Sequence, residues 1–425
     1  MNALHHAPKF MLIAGEPSGD MLAGELIQAL RADTRVQSFA FAPRFFGAGG
    51  PHMERAGADV VLDLCRHAMV GLSGALWHYL TFRRHMRELL RLAFERQPDV
   101  IIGVDFSGFN LRFARALRGR LRKVPRFFFN WKPKLVQFVS PQVWASRPGR
   151  ARKMAMNLDL LLCLFPFEKE WYAKRAPSLR VEFVGHPVVD RHKTASMKTA
   201  PEAENGRCAD QVQNVVLLPG SRVAEINRHL PVMLEAARLL VTGGHQQTTA
   251  DAGEGRKLAF TLVLADERLR QIADPMCRQL LPEVRVRVND LGGALADATV
   301  AIACTGTVTL ECALYGVPTV AMYKTSALNY FVGRRLVSVR YLAMPNILAD
   351  DELLPEFIQD RATPANLARA TADFLEDPDL RRSIRAKVAA VVSKLGPPGA
   401  AARAAAAVAF LLPHPAESGR ASLPI

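Results

Sequence analysis

Lys9-Phe10-Met11-Leu12-Ile13-Ala14-Gly15-Glu16-Pro17-Ser18-Gly19-Asp20 is the stretch whose reading decides the fold. An apolar run ends at a turn of small residues, and Leu22, Leu26, Ile27 and Leu30 then recur on one helical face. Strand, glycine-containing turn and helix form the opening unit of a parallel α/β sheet. The rhythm continues outward. Phe45-Phe46-Gly47-Ala48-Gly49-Gly50-Pro51 reads as a strand end and a glycine turn, and Asp99–Asp105 as a buried strand closed by a carboxylate. Phe109–Leu121 reads as a helix, and Leu135–Val139, Leu160–Phe165 and Val181–Val184 as further strands. Residues 1–192 thus form one doubly wound domain.

Residues 193–213 turn polar and lose any apolar period, as a linker does. Asn214-Val215-Val216-Leu217-Leu218-Pro219-Gly220-Ser221-Arg222 restarts the unit, followed by strands at Leu258–Leu264, Val284–Val288, Thr299–Ala303 and Thr319–Met322. A second domain spans 214–395, and 396–425 reads as a C-terminal helix and frayed tail. Two α/β domains and a linker suit a cleft enzyme that closes over a nucleotide.

The 425 residues are enough for two cores, and 49% apolar with 22% charged residues excludes wholesale disorder. No run of about 18 apolar residues is present to span a membrane, and the first residues lack the pattern of a secretory signal. Six scattered cysteines without a CxxC pair read as reduced thiols of a cytosolic protein and exclude a zinc-stapled one. The net charge is +15, and residues 81–154 carry 18 Lys and Arg against four acids. Such a block favours polyanions, namely nucleic acid, an anionic membrane surface or phosphorylated substrates; solvated helix faces are the plainer account.

Five constellations carry candidate chemistry. Gly15–Asp20 either turns amides toward a ligand or is a tight turn capped by Ser18 or Asp20. Asp105 stands where an open parallel sheet binds ligands and can take a proton from a hydroxyl, or it caps a helix. Pro219-Gly220-Ser221-Arg222 offers amides and a guanidinium to a diphosphate, although Glu225 can instead pair locally with Arg222. Thr305-Gly306-Thr307 suits phosphate, and Glu311 beyond it suits ribose hydroxyls rather than mere solubility. Met69–Phe82 is apolar and aromatic, with an Arg-rich continuation, and reads as an interfacial segment or as a buried helix.

In collinear order over residues 10–395, these motifs closely resemble the lipid-A-disaccharide synthases, glycosyltransferases of the two-domain Rossmann-like GT-B architecture. The matching pieces include AGEPSGD at 14–20, GAGGPHM at 47–53, PDVIIGVDFSGFNLR at 98–112 and VSPQVWASRPGRARKM at 139–154. They continue with LLPGSRVAEI at 217–226, CTGTVTLECALYGVP at 304–318 and MPNILADDELLPEFIQ at 344–359. The resemblance implies two doubly wound parallel-sheet domains facing a cleft. It implies an inverting reaction in which UDP-2,3-diacylglucosamine and 2,3-diacylglucosamine 1-phosphate give a β-1,6-linked disaccharide and UDP, without metal or other cofactor. Asp105 would be the base, and Ser18, Asn110, Ser140, Gln142, Ser221, Arg222, Thr305, Gly306, Thr307, Glu311 and Asn346 would bind substrate. Val70, Leu72, Leu76 and Trp77 would touch the membrane.

The resemblance further implies a cytoplasmic protein peripheral on the inner face of the inner membrane, and a homodimer with exchanged C-terminal segments. The chain departs from the family pattern at Gly108, where a second carboxylate is usual, and at Ser146, where an aromatic ring is lost. A further departure is an insertion around Phe127–Lys134. All three departures are expected on the acceptor side. Two rivals are weaker. Another GT-B enzyme of UDP-N-acetylhexosamine would not explain the motif order, and a nucleic-acid binder would lack RNP, KH or zinc-finger patterns.

Overall fold

The computed structural model describes residues 7–65, 75–124, 129–191, 212–243, 257–337 and 339–413. The chain divides into two compact units, one of residues up to Asp190 together with those from Leu395, the other Arg191–Lys394.

The first unit holds seven parallel strands: β1 Lys9–Ala14, β2 Arg44–Gly49, β3 Asp59–Asp63, β4 Val100–Val104, β5 Lys134–Phe138, β6 Leu160–Cys163 and β7 Val181–Phe183. Their order is β3-β2-β1-β4-β5-β6-β7. β1 lies between β2 and β4, with Leu12 opposite both Gly47 and Ile102. Central strands covered on both faces must be apolar throughout, and every residue of β4 and β6 is buried. The edge strand β3 has carboxylates at both ends and only Val60, Val61 and Leu62 between them, an apolar run too short to stand out in the sequence.

The helix Pro17–Ala32 starts with proline in its first turn, where the missing N–H costs nothing. Leu22, Leu26, Ile27 and Leu30 are buried as their spacing requires, contributing about 1.5–3 kcal/mol each. The C-terminal helix Ala400–Ala409 packs on this same helix instead of forming a separate appendage. Its docking is polar as well. Asp190 accepts the amides of Gly399 and Ala400, and Arg403 Nε donates to Val184 O at 2.8 Å.

The second unit repeats the plan with β8 Gln213–Leu218, β9 Leu258–Leu264, β10 Arg285–Val288, β11 Val300–Cys304, β12 Thr319–Tyr323 and β13 Glu356–Ile358. The order is β10-β9-β8-β11-β12-β13, again all parallel. Of the expected linker 193–213, only Val212 and Gln213 are described, and Gln213 opens β8.

Candidate active site

In each sheet the strand order reverses at one point, where connections leave in opposite directions and open a crevice at the carboxyl ends. In the first unit that point lies between β1 and β4, and in the second between β8 and β11. The turn after β1 carries Ser18, and the residue after β4 is Asp105. The turn after β8 carries Ser221 and Arg222, and that after β11 carries Thr305, Gly306 and Thr307.

Asp105 and Phe106 have φ of 49° and 33°, left-handed values that cost non-glycine residues about 1–3 kcal/mol each. The backbone is held there from below. The Asp105 carbonyl accepts Gln137 Nε2 at 2.8 Å and Asn110 Nδ2 at 3.1 Å, and its amide donates to Phe138 O at 2.9 Å. Gly103 makes room for both amides, since a Cβ there would lie 2.7 Å from Asn110 Cβ and 2.8 Å from Gln137 Oε1. Burial, and then the nearby Glu16 carboxylate, raises the Asp105 carboxyl above the ordinary aspartate range, against hydrogen bonds from the Phe106 amide and Ser18 hydroxyl. A carboxylate made more basic in this way suits proton abstraction.

Asp20 plays a different part from its neighbour Ser18. It is 1% exposed and accepts the amides of Gly50, His52 and Met53 at 2.8, 2.8 and 3.1 Å, tying the first turn to the glycine turn after β2.

Three expected substrate contacts face inward. Asn110 is 4% exposed, and its Nδ2 contacts the carbonyls of Ile13, Val104 and Asp105. Ser140 is buried, bonded to Tyr172 Oη at 3.1 Å and to Glu168. Asn346 is fully buried; Oδ1 accepts the amides of Leu353 and Leu354, and Nδ2 donates to Leu354 O and Glu356 Oε1. These side chains brace loops, as buried amides and hydroxyls do by taking internal partners, while Asn110 Oδ1 is buried with no hydrogen-bond partner among the described residues. Gln142, by contrast, is exposed at the start of the short helix Val143–Ser146.

Glu168 was not singled out from sequence. It lies beneath the Val139–Ser146 turn, 1% exposed, and accepts Trp144 Nε1 and the Phe165 amide, both at 3.1 Å. Burial pushes its carboxyl up to about 7 despite those bonds.

In the second unit Glu225 Oε2 accepts the amides of Ser221 and Arg222 at 2.9 and 3.2 Å, while Oε1 lies 3.6 Å from the Arg222 guanidinium. The amides expected to face a diphosphate are therefore engaged by a carboxylate of the same turn. Gly220, with φ of 121°, leaves space for that carboxylate where a Cβ would collide with it. The Arg222 side chain remains 72% exposed and is the cation this turn offers. Thr307 is exposed, and Glu311 is half-buried on the helix Thr307–Leu314 between buried Leu310 and Cys312.

His229 is another residue that sequence reasoning passed over. It is fully buried, with Nδ1 2.7 Å from Pro219 O and Nε2 3.1 Å from the Lys324 amide, and so joins the turns after β8 and β12. Its signal was a polar residue in the buried stripe Ile226, Leu230, Met233.

The insertion before β5 lies elsewhere than expected. Trp131 Nε1 donates to Pro98 O at 2.8 Å, and Phe129 and Trp131 pack on Phe94, beside the amino end of β4 and away from Asp105. Lys134 pairs with Val100 at the start of that strand, which fixes the direction from which the insertion enters. Val70 and Leu72 lie outside the described residues. Leu76 and Trp77 fall in the first turns of the helix Ala75–Arg96, with side chains not described.

Comparison with known proteins matches this arrangement to one family. A family model described as lipid-A-disaccharide synthetase matches residues 10–409. The lipid-A-disaccharide synthase of Geobacter metallireducens is 36% identical over 406 residues, covering 95% of this chain and 97% of the relative. That of Syntrophus aciditrophicus is 35% identical over 399 residues, covering 93% and 95%.

Among solved structures, a putative UDP-N-acetylglucosamine 2-epimerase from Listeria monocytogenes aligns with a TM-score of 0.54 at 14% identity, over 89% of this chain and 91% of its own. The calicheamicin glycosyltransferase CalG4 aligns with a TM-score of 0.53 at 15% identity, over 98% and 100%. At such identities these likenesses speak for the two-domain glycosyltransferase fold alone. The family match, which runs through both switch points, establishes that the chain belongs to the lipid-A-disaccharide synthetase family.

Proposed function

We propose that the protein transfers the sugar of UDP-2,3-diacylglucosamine to the 6-hydroxyl of 2,3-diacylglucosamine 1-phosphate, with inversion, giving the β-1,6 disaccharide 1-phosphate and UDP. The observation that carries this reading is the placement of Asp105 at the β1/β4 switch point, in a braced left-handed backbone within a chain of this family.

Asp105 accepts the hydroxyl proton as the acceptor oxygen bonds to the anomeric carbon. The bond to UDP breaks on the opposite face, and its electron pair leaves with the diphosphate. Arg222 and the Thr305–Thr307 turn stabilise that developing charge, an effect worth several kcal/mol for preorganised donors. Glu311 accepts hydrogen bonds from the uridine ribose. The basic block over residues 81–154 supports an anionic membrane surface as the place where acylated substrates are met. A homodimer belongs to the same reading.

Incubation of the purified protein with both substrates, followed by mass analysis, should yield the disaccharide and UDP. Turnover of a soluble UDP-sugar without an acylated acceptor would overturn the proposal.

A further inference from the structure

Three arginines lie on the two segments that follow the paired strands β4 and β5, downstream of Asp105. Arg112 lies on the helix Ser107–Leu121, which begins two residues after Asp105. Arg147 and Arg150 come from a separate segment, Arg147 from the end of the short helix Val143–Ser146 and Arg150 from the start of the helix Arg150–Ala155. That segment packs along the first helix, since Arg118 Nε donates to Asn157 O at 3.3 Å, and Ala151 and Met154 share a core with Phe113 and Leu117. All three arginines are exposed.

The ion pairs of this region go elsewhere, Arg118 to Asp159 and Arg180 to Glu182, and among the described residues none involves the three. Partial burial, then the like charges of Arg147 and Arg112, hold Arg150 below the ordinary arginine range. Like charges gathered in this way repel one another, and a bound anion would reverse that repulsion.

The cluster is joined to Asp105 by a row of rings. Phe106 stacks on Phe109 with centroids 5.6 Å apart, Phe109 meets the edge of Phe82 at 4.9 Å, and the Arg112 guanidinium lies 5.3 Å from the Phe82 ring. A ring, not a carboxylate, therefore supports Arg112 and leaves its fork free for another partner. From Ser107 to Arg112 the helix rises ~7.5 Å. A sugar whose hydroxyl meets Asp105 would extend along this helix and bring a phosphate on its far side to the arginines.

We propose that Arg112, Arg147 and Arg150 form a subsite for the phosphomonoester of the acceptor sugar. Guanidinium forks match a phosphate dianion bidentately, which a single lysine could not do. The inference rests on the reading that the acceptor is a sugar 1-phosphate.

The test compares wild type, Arg112→Ala, Arg147→Ala/Arg150→Ala and the corresponding lysine variants on two acceptors, 2,3-diacylglucosamine 1-phosphate and the same sugar without phosphate. With the phosphorylated acceptor, kcat/KM should fall about 10- to 100-fold, mainly through acceptor KM. Donor KM and turnover of the unphosphorylated acceptor should stay unchanged, and lysine should restore part of the loss. Equal losses on both acceptors, or no loss, would overturn the subsite.

Calorimetric binding of glucose 1-phosphate gives a readout without turnover and should weaken in the alanine variants. If the wild type makes no disaccharide, the proposed function falls, while the subsite stands or falls on that binding. Vesicles containing phosphatidic acid separate the two sources of a phosphomonoester. Loss of vesicle binding in the alanine variants with acceptor discrimination intact would assign the arginines to lipid headgroups and overturn the acceptor subsite.

Discussion

The side-chain amide of Gln137 lies 2.8 Å from the Asp105 carbonyl and 3.2 Å from that of Val139, so one buried group clamps two left-handed strand ends. Val139 has φ of 69°, a costly value for a β-branched residue, and Gln137 is 1% exposed. Gln137→Leu keeps the volume but removes the donors, leaving strained carbonyls short of partners. Urea unfolding should show a loss of about 1–3 kcal/mol, and kcat should fall with little change in donor KM. A variant as stable and active as wild type would remove Gln137 from the positioning of Asp105.

Asp105 must be ionised to act as a base, so kcat/KM should fall as pH falls through its raised pKa. Glu16 is the charged contributor to that rise. Glu16→Gln should therefore move the acid limb of the pH–rate profile to lower pH, whereas Asp105→Ala should lower turnover by about 100-fold or more at every pH. An acid limb that stays in place in Glu16→Gln would break the link between these two carboxylates.

Glu168 carries a carboxyl raised from 4.5 to about 7 by burial. The folded state then holds a proton that the unfolded state has released between those values, so this group's contribution to stability is full below about 4.5 and is lost as pH rises through about 7. The decline is on the order of 3 kcal/mol. Denaturant unfolding from pH 4.5 to 8 should show this slope in the wild type and a flatter curve for Glu168→Gln. Parallel curves would mean that Glu168 is not the titrating group.

Arg222 and Glu225 allow the proposed binding role to be separated from a folding role. Their exposed pair contributes no more than about 1 kcal/mol, so Arg222→Ala should leave urea unfolding nearly unchanged. UDP affinity should weaken by about 1.5–3 kcal/mol in calorimetry. Glu225→Ala releases the amides of Ser221 and Arg222 and should cost about 0.5–2 kcal/mol of stability, as loss of a helix cap does. Unchanged UDP affinity in Arg222→Ala would leave the turn without its proposed role.

Among the described residues no helix is long and apolar enough to cross a membrane. Near the start of the helix Ala75–Arg96, Leu80 is 56% exposed. Recruitment to anionic vesicles should fall with salt, and Leu76→Asp with Trp77→Ser should reduce it further while UDP binding persists. Equal recruitment of the double mutant in sedimentation would assign the segment to core packing.

The succession of apolar runs, small-residue turns and amphipathic helices was legible in the residues themselves, because central parallel strands are buried on both faces and their turns need residues that tolerate tight backbone. Asp105, Ser18, Arg222 and Thr305–Thr307 could be located at strand ends from that pattern alone. The edge strands β3 and β13 escaped, one because only three apolar residues stand between its two terminal carboxylates and the other through its three-residue length.

Tertiary structure decided what a linear pattern does not encode, namely which strands are neighbours. The pairing of β1 with β4 and of β8 with β11 brings together turns about 90 residues apart in each unit. It also decided which polar groups stay exposed and which face the core. Asn110, Ser140 and Asn346 sit in motifs that read as binding segments, and their side chains turn inward to backbone carbonyls and amides or, for Ser140, to the Tyr172 and Glu168 side chains. Gln137 and His229 could be seen from sequence as polar residues among apolar ones, but their partners lie in other loops, while Glu168, beside Lys169 and Glu170, carries no such signal, and only the folded chain buries it.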